Sequence, residues 1–343
     1  MQPARTATLA AFLSLLGTAS HSLAQTVRQT PSIFAPDSTP ALHIYHLSIF
    51  VLGVTGGIFV VVASLLVYVI ARYRARGPAD DTEPAQVYGS AQIELAWTVI
   101  PVLIVLVLFL TTTRVILAVQ DAPKPPAAVE VTVTGHQFWW EFRYPKLGIV
   151  TANELHVPVS DARSSKPTYL RLLSADVVHS FWVPALNGKT DLIPNRVNET
   201  WIDPQHTGLY VGQCAQYCGL EHARMLLRVY VDSPADFQNW VRTQQSVASQ
   251  QAGVSAGREV FESEACSNCH TISGTSADGA FGPDLSHLMS RATIASGAAL
   301  NTRQNLRAWI KDPDSLKPGC LMPAMKLTDR EIDQVVDYLS TLQ

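Results

Sequence analysis

Charged residues are scarce in this chain of 343 residues: they make up 15 %, against a hydrophobic fraction of 47 %. Soluble domains usually carry about 25 % charged residues, so the balance indicates membrane segments. The formal net charge is only −3 and no long basic run exists, which excludes a protein that coats nucleic acid. The five cysteines are too few for a small disulfide scaffold, and their clustering suggests ligands instead.

Three apolar segments near the N-terminus account for the hydrophobic excess. Residues 1–24 combine Arg5, an apolar core and small residues before the predicted cleavage point, which is the pattern of a secretory signal peptide. Two longer segments, about 44–71 and 94–117, are each predicted to cross a bilayer as a helix, because spanning needs about 20 largely apolar residues. The first contains no Asp, Glu, Lys or Arg, and the second carries charge only near its two ends.

A cluster of arginines separates the two predicted helices. Arg72, Arg74 and Arg76 place this short loop on the cytoplasmic side by the positive-inside rule. Residues 25–120 therefore form an N-terminal segment with two spans, and everything after them lies on the opposite side. The predicted location is the bacterial inner membrane, with the bulk of the chain on the periplasmic or extracytoplasmic face.

The exported part of the chain divides into regions of different periodicity. Residues 121–240 contain five short runs rich in β-branched and aromatic residues, separated by Gly, Pro, Asn and Asp, a pattern typical of a β-sandwich or barrel. Residues 241–252, rich in Gln, Ser, Val and Ala, are predicted as a flexible linker. Residues 253–343 have helical periodicity and end in a capping box, Thr328 with Glu331, ahead of an amphipathic helix.

The C-terminal region carries a Cys-x-x-Cys-His motif at Cys266, Cys269 and His270. This spacing attaches haem c, because two thiols reach the two vinyl groups and the adjacent imidazole lies under the iron. A disulfide or a redox Cys-x-x-Cys is the alternative, but neither needs His270. The motif therefore predicts a covalently bound haem.

The sixth ligand of that haem iron is expected from a methionine later in the domain. Three candidates follow the motif: Met289, Met322 and Met325. Met322 is favoured because it sits in a Leu-Met-Pro-Ala loop just before the last helix, and Met325 is its competitor. Methionine and histidine together raise the reduction potential into the range of an electron carrier.

A second cluster of potential ligands lies in the β region: His179, Cys214, Cys218, His222 and Met225. Soft thiolate and thioether groups together with imidazole select copper, and two thiolates can bridge two copper ions with one histidine for each. The spacing from Cys214 to Met225 also fits one face of a helix, and a Cys214 to Cys218 disulfide is possible in the metal-free protein.

Residues 38–240 resemble subunit II of the haem-copper cytochrome c oxidases. The resemblance is carried by five stretches: 92–101, 135–137, 176–181, 189–196 and the cysteine loop. The C-terminal region resembles a class I cytochrome c, in which a proline carbonyl, here that of Pro283, steadies the proximal imidazole. Together they look like the caa-type, whose subunit II carries its own cytochrome c. The implied architecture is a multidomain membrane protein: a two-helix transmembrane hairpin, an all-β cupredoxin-like sandwich and an all-α cytochrome c domain.

The resemblance implies two cofactors, a dinuclear CuA centre and a covalently bound haem c. The family's copper ligands map onto His179, Cys214, Gln216 through its main-chain oxygen, Cys218, His222 and Met225. The haem attachment maps onto Cys266 and Cys269, with His270 and Met322 as axial ligands of the iron. Most relatives have Glu at position 216, where the carboxylate helps to bind Mg²⁺; an amide is a weaker ligand, so Mg²⁺ is not predicted.

The resemblance also assigns roles to residues that bind no metal. Relatives that receive electrons from a separate cytochrome have a tryptophan where this chain has Phe138, so Trp139 and Trp140 are the expected aromatic route. Glu94, at the cytoplasmic start of the second helix, is the expected uptake point for protons that enter subunit I by the K pathway. No role is predicted for Cys320.

The predicted function is electron input to a proton-pumping terminal cytochrome c oxidase. Electrons pass from haem c to CuA and on to subunit I, where O₂ is reduced to water. The expected partners are subunit I, subunit III, membrane lipid and an external cytochrome c or other donor, with no nucleic acid. Two alternatives remain open: a copper chaperone or assembly protein, and a self-contained CuA reductase of the nitrous oxide reductase type.

Overall fold

The computed structural model describes residues 27–28, 31–74, 86–120, 128–160, 167–247 and 253–343. The predicted signal peptide, residues 1–24, lies outside these ranges. So do Arg76 of the cytoplasmic arginine cluster and residues 248–252 of the predicted linker.

Two long helices, α1 (Thr39–Arg72) and α2 (Ala91–Gln120), pack against each other. Both are long and apolar enough to cross a membrane by length and composition. Their apolar side chains are exposed on all sides, as expected for helices that face lipid or other membrane helices. Each helix extends up to five residues beyond the predicted span, because its ends continue past the apolar stretch.

The start of α1 is fixed to the β-sandwich domain by a buried carboxylate. Asp203 accepts hydrogen bonds from the hydroxyl of Ser38 at 2.7 Å and from the backbone N–H and hydroxyl of Thr39 at 2.7 and 2.5 Å. These groups occupy the first turn of the helix, where backbone N–H groups lack partners within the helix. The sandwich therefore holds the membrane hairpin at its outer end.

Two sheets form the β-sandwich. The first has the order β4-β3-β2-β6-β9 and consists of β2 (Val129–His136), β3 (Trp139–Tyr144), β4 (Ile149–Ala152), β6 (Thr168–Ser174) and β9 (Asn198–Ile202). The second has the order β5-β11-β10-β7-β8 and consists of β5 (Glu154–Pro158), β7 (His179–Trp182), β8 (Thr190–Leu192), β10 (Gly208–Cys214) and β11 (Leu226–Asp232); β1 (Val27–Arg28) pairs with β10. Alternate residues point inward and form one apolar core, as in other sandwiches.

Each of the five predicted runs overlaps an observed strand, namely β2, β3, β6, β9 or β11. The sequence did not predict β4, β5, β7 and β8. These strands have three to five residues, too few to show an alternating pattern.

Helix α3 (Pro234–Gln245) closes the sandwich and changes the predicted domain boundary. Residues 241–245 of the predicted linker are helical, because Phe237, Val241 and Gln244 form a buried face. Ser233 caps the helix by accepting a hydrogen bond from the backbone N–H of Asp236. The polar composition of residues 241–245 favoured a linker, although a helix needs only one apolar stripe to pack on the sandwich.

The C-terminal domain is helical, with α4 (Ser255–Ser263), α5 (Cys266–Cys269), α6 (Arg303–Lys311), α7 (Pro313–Leu316) and α8 (Asp329–Leu339). A single two-stranded ladder joins β12 (Thr293–Ile294) to β13 (Ala299–Leu300). The predicted capping box is present: Thr328 accepts from the N–H of Glu331, whose carboxylate accepts from the N–H of Thr328. Helices α4, α6 and α8 share one apolar core.

Candidate metal centre and haem pocket

The predicted copper ligands meet at one end of the sandwich. His179 opens β7 and Cys214 closes β10, and these neighbouring strands pair antiparallel, with Cys214 opposite Phe181. The loop that follows β10 carries Cys218 and continues into a short 3-10 turn that begins at His222. Because the segment is a strand end, a loop and a turn, the reading of these residues as one face of a helix is excluded.

The sulfur and nitrogen atoms of these side chains lie close together. Cys214 Sγ is 3.9 Å from His179 Nδ1, 4.0 Å from Cys218 Sγ and 3.2 Å from the main-chain oxygen of Gln216. On the other side, Cys218 Sγ lies 3.6 Å from His222 Nδ1 and 3.8 Å from Met225 Sδ. Both cysteines are free and buried, so the structure contains no disulfide between them.

Hydrogen bonds orient and polarise this cluster. Asp176 Oδ1 lies 2.7 Å from His179 Nε2, which directs the other ring nitrogen, Nδ1, towards Cys214. Burial alone would lower the pKa of His179, but the hydrogen bonds and charge interactions with Asp176 and Cys214 together outweigh burial and raise the pKa. The hydrogen bond between the two cysteines lowers the pKa of Cys214 and raises that of Cys218.

The donor set fits copper. Two thiols, two imidazoles, a thioether and a carbonyl oxygen converge in a buried site, and this mixture is soft enough to prefer copper over hard cations. The two cysteines are central and the other donors divide between them, with His179 and Gln216 beside Cys214 and His222 and Met225 beside Cys218. These six residues would hold copper, with the two cysteines as the central donors.

The predicted haem ligands line one large, mostly apolar cavity. Cys266, Cys269, His270, Met322 and Met325 all face it. The expected contact with Pro283 is present: His270 Nδ1 lies 2.8 Å from the proline carbonyl oxygen, which leaves Nε2 available for a metal. Burial lowers the pKa of His270, so the imidazole is neutral, the form that binds iron. Met322 and Met325 both line the cavity, so both are candidates for the second axial ligand.

A buried arginine in the same cavity supports a bound haem. Arg291 is 8 % exposed and lines the cavity, and one of its terminal nitrogens donates to the carbonyl oxygen of Asp284. Its Nε is buried and has no hydrogen-bond partner among the residues that the structure describes. A buried guanidinium N–H without a hydrogen bond destabilises the folded protein, and a haem propionate would accept that hydrogen bond. The sequence analysis did not identify Arg291, because no motif or spacing distinguishes it from the surface arginines of a helical domain.

Comparison with known proteins gives matches over nearly the whole chain. Three family models match: the transmembrane domain of cytochrome c oxidase subunit II at residues 29–115, its periplasmic domain at 129–231, and cytochrome c at 254–343. The cytochrome c oxidase subunit 2 of Alkalihalophilus pseudofirmus is 34 % identical over 315 residues, which cover 90 % of each chain. The chain belongs to the cytochrome c oxidase subunit 2 family. The resemblance and the fold class predicted from the sequence are thereby confirmed.

Two further relatives of this oxidase subunit extend the comparison. The cytochrome c oxidase subunit 2 of Bacillus subtilis is 33 % identical over 296 residues, covering 80 % of this chain and 82 % of the relative. The crystal structure of the periplasmic domain of subunit II from Bradyrhizobium japonicum is 32 % identical and covers 36 % of this chain and 97 % of its own, with a TM-score of 0.34.

The two tryptophans predicted as an electron route occupy different places in the oxidase subunit. Trp139 lines the haem cavity and stacks on His136 at a centroid distance of 4.2 Å. Trp140 is buried in the sandwich core, where its ring meets that of His179 edge to face at 6.1 Å. Its Nε1 donates to the carbonyl oxygen of Met225 at 3.4 Å. One tryptophan therefore contacts the cavity and the other contacts the predicted copper ligands.

Gln137 connects the cavity with the copper cluster, a role that the sequence did not indicate. Gln137 and Phe138 line the haem cavity although they belong to the sandwich. The side-chain amide of Gln137 donates to the carbonyl oxygen of Cys218 at 2.5 Å, and its backbone N–H donates to Asp176 at 2.6 Å. Gln137 therefore contacts both a predicted copper ligand and the carboxylate that orients another.

The remaining predicted residues lie in three different places. The side chain of Gln216 is exposed, so the carbonyl oxygen is the only part of this residue directed at the sulfurs. Glu94 lies in the first turn of α2, away from both candidate sites. Cys320 lines the haem cavity, with its Sγ 3.7 Å from the carbonyl oxygen of Met322.

Replacing Asp176 by Asn is expected to weaken copper binding by about 10–100-fold, because the amide holds the imidazole of His179 less firmly than the carboxylate does. Competition with a copper chelator measures the change. Asp191→Asn, on β8 of the same sheet, is the matched control. Equal copper affinities of the two variants would show that Asp176 does not orient a ligand.

Proposed function

We propose that this oxidase subunit accepts electrons at a haem c and delivers them through a dinuclear CuA centre to subunit I, where O₂ is reduced to water in a proton-pumping reaction. The proposed haem residues are Cys266, Cys269, His270 and Met322. The proposed copper ligands are His179, Cys214, the main-chain oxygen of Gln216, Cys218, His222 and Met225. Bound haem c and copper would supply the one-electron carriers, and the protein supplies their positions.

The observation that carries this proposal is the position of Gln137. It lines the haem cavity and donates a hydrogen bond to the carbonyl oxygen of Cys218. The two candidate sites are therefore separated by one side chain and contact the same strand connection. A residue that contacts both sites is expected if electrons pass between copper and haem, and it is not needed if the two sites act independently.

The residues around the two sites hold them in a water-poor environment. Cys214, Cys218, His179 and Met225 are buried, and apolar side chains fill most of the cavity wall at the cytochrome domain. The preformed ligand positions limit the rearrangement that accompanies a change of oxidation state. Trp139 on the cavity side and Trp140 on the copper side are the proposed aromatic route, with Phe138 directly before them in the chain.

The proposal includes the placement of the chain in the membrane. The signal peptide, residues 1–24, directs export, α1 and α2 cross the bacterial inner membrane, and the sandwich and cytochrome domains lie on the periplasmic side. Subunit I binds the hairpin, with subunit III in the same complex and an external cytochrome c or another donor reducing the haem. Glu94, at the cytoplasmic start of α2, is the proposed point of proton uptake. Mg²⁺ is left out because Gln216 replaces a carboxylate.

The two alternative functions lack structural support. A copper chaperone needs no second cavity that carries a Cys-x-x-Cys-His motif. A self-contained reductase needs another metal site, and among the residues described here only His179, Cys214 and Cys218 form a group of three metal-binding side chains of His, Cys, Asp or Glu. Family membership agrees with electron input to an oxidase.

Anaerobic rapid mixing with a chemical reductant tests the proposal in the purified oxidase. We expect haem c to be reduced first and the copper absorbance to follow with a rate that does not depend on reductant concentration, as for transfer within one molecule. Copper reduction that is first order in reductant, or that precedes haem reduction, would contradict the proposed direction of transfer.

A further inference from the structure

Glu154 is a sandwich carboxylate whose hydrogen-bond donors come from the cytochrome domain. It lies at the start of β5 and is 2 % exposed. Its two oxygens accept hydrogen bonds from the backbone N–H of Ala292 at 3.0 Å, the N–H of Thr293 at 2.9 Å and the hydroxyl of Thr293 at 2.7 Å. A buried carboxylate without such donors is strongly unfavourable. Glu154 therefore depends on the neighbouring domain to remain buried.

Lys317 makes the reciprocal contact from the cytochrome domain to the sandwich. It is 3 % exposed, and its Nζ donates to the carbonyl oxygen of Phe138 at 2.7 Å and to that of Ala295 at 3.4 Å. Burial lowers the pKa of Lys317 to about 8. The acceptor at Phe138 lies on the wall of the haem cavity, so the ammonium group connects the two domains at the proposed electron path.

Further contacts surround these two charges. Ser296 donates to the carbonyl oxygen of Leu226 at 2.9 Å, and Arg228 donates to the hydroxyl of Thr293 at 2.9 Å. Gly297 has a φ of +85°, and a Cβ at this position would lie 2.8 Å from Arg228 Nη1. A Cβ there would also lie 3.2 Å from Leu226 Cβ, so the backbone of the cytochrome domain packs directly against side chains of the sandwich.

We propose that Glu154 and Lys317 are positioning residues that keep the cytochrome domain docked on the copper domain, so that electrons pass within one fixed arrangement. This inference rests on the proposed function, because it specifies how the two sites are held together. The alternative is a domain that swings on its linker and reacts only through raised effective concentration. Two buried charges, each hydrogen-bonded by the opposite domain, favour the fixed arrangement, since separation of the domains would leave both charges without these partners.

Hydrogen exchange and transfer kinetics in the complete oxidase test this inference. The variants are Glu154→Gln, Lys317→Met and the double substitution. The controls are Glu199→Gln, an exposed carboxylate of the sandwich, and Lys311→Met, an exposed lysine of the cytochrome domain. We expect the amide protons of Ala292 and Thr293 to exchange at least about tenfold faster in Glu154→Gln, because a charge-assisted acceptor is lost.

Solvent viscosity distinguishes docking from swinging. The rate of transfer from haem to copper should be independent of viscosity in the unsubstituted protein and in both controls. In the double variant the transfer rate should fall and become dependent on viscosity. The single variant Lys317→Arg keeps a cationic donor, so it should retain much of the transfer rate that Lys317→Met loses. Unchanged exchange at Ala292 and Thr293 in Glu154→Gln, or a viscosity-dependent rate before substitution, would overturn the inference.

The haem spectrum and the copper signal of each variant separate this inference from the proposed function. If the unsubstituted oxidase lacks either the haem c spectrum or the copper signal, the proposed function is contradicted. The exchange rates at Ala292 and Thr293 would still show whether the domains are docked. If both cofactors are present and the exchange rates at Ala292 and Thr293 are unchanged in all variants, the docking inference is contradicted and the proposed function is not.

Discussion

Replacing Cys218 by Ser is expected to abolish the paired-copper signal and electron delivery to O₂, while haem c stays attached and reducible. Cys218 Sγ is within 4.0 Å of Cys214 Sγ, His222 Nδ1 and Met225 Sδ, so it is the donor that both halves of the cluster share. A serine hydroxyl is a hard, weakly acidic ligand and does not bridge two copper ions as a thiolate does. Electron paramagnetic resonance and oxygen consumption measure the two losses.

Cys320→Ser provides a matched control for this substitution. Cys320 is the fifth cysteine and lies beside Met322, with no copper ligand in its hydrogen-bond contacts. The same chemical change there should leave the copper signal intact. A normal mixed-valence signal in Cys218→Ser would show that copper is bound by another set of residues.

Replacing Met322 by Leu is expected to lower the reduction potential of haem c by an amount on the order of 0.1 V or more, because a thioether ligand favours the reduced iron. The charge-transfer band of methionine-bound ferric haem should disappear at the same time. Potentiometric titration followed by absorbance measures both effects.

Met325→Leu is the control that decides between the two methionines. Both side chains line the cavity three positions apart, so the two variants test ligation under nearly equal packing. The potential and the band should survive in Met325→Leu. If the losses occur there and Met322→Leu behaves normally, Met325 is the axial ligand and the proposed assignment is wrong.

The two ligand clusters could be predicted from the sequence because most of their residues lie within short segments. Cys266, Cys269 and His270 are nearly adjacent, and Cys214 to Met225 spans one strand end and one loop. Covalent spacing alone brings such residues close together. His179 lies 35 positions before Cys214, so spacing could not bring it to the loop; it was grouped with the cysteines as the histidine for a second metal ion, and the family resemblance assigned it as a ligand.

The residues that connect the two sites could not be predicted in this way. Gln137 meets Cys218 across 81 positions, and Lys317 meets Phe138 across 179. The first contact depends on how the strands and loops of the sandwich pack, and the second on how two domains dock; no periodicity in the sequence encodes either arrangement. A glutamine, a glutamate and a lysine on their own resemble ordinary surface residues, so their burial became evident only in the folded chain.

Helix α3 illustrates a different limit of the sequence. Its second half is rich in Gln and Thr, and this composition favoured a linker. The structure buries Phe237, Val241 and Gln244 on one face, and Trp240 packs beside them. A helix needs only one apolar stripe to dock on a sheet, and the three apolar residues Phe237, Trp240 and Val241 were too weak a pattern in a helix of twelve residues.

The most direct test of the account is the metal content and spectrum of the purified full-length subunit, loaded with copper and haem. The account predicts two copper ions for each covalently bound haem c, with a seven-line copper signal of one electron shared between equivalent metals. One copper or none in a fully loaded preparation, or a four-line signal from a single copper ion, would contradict it.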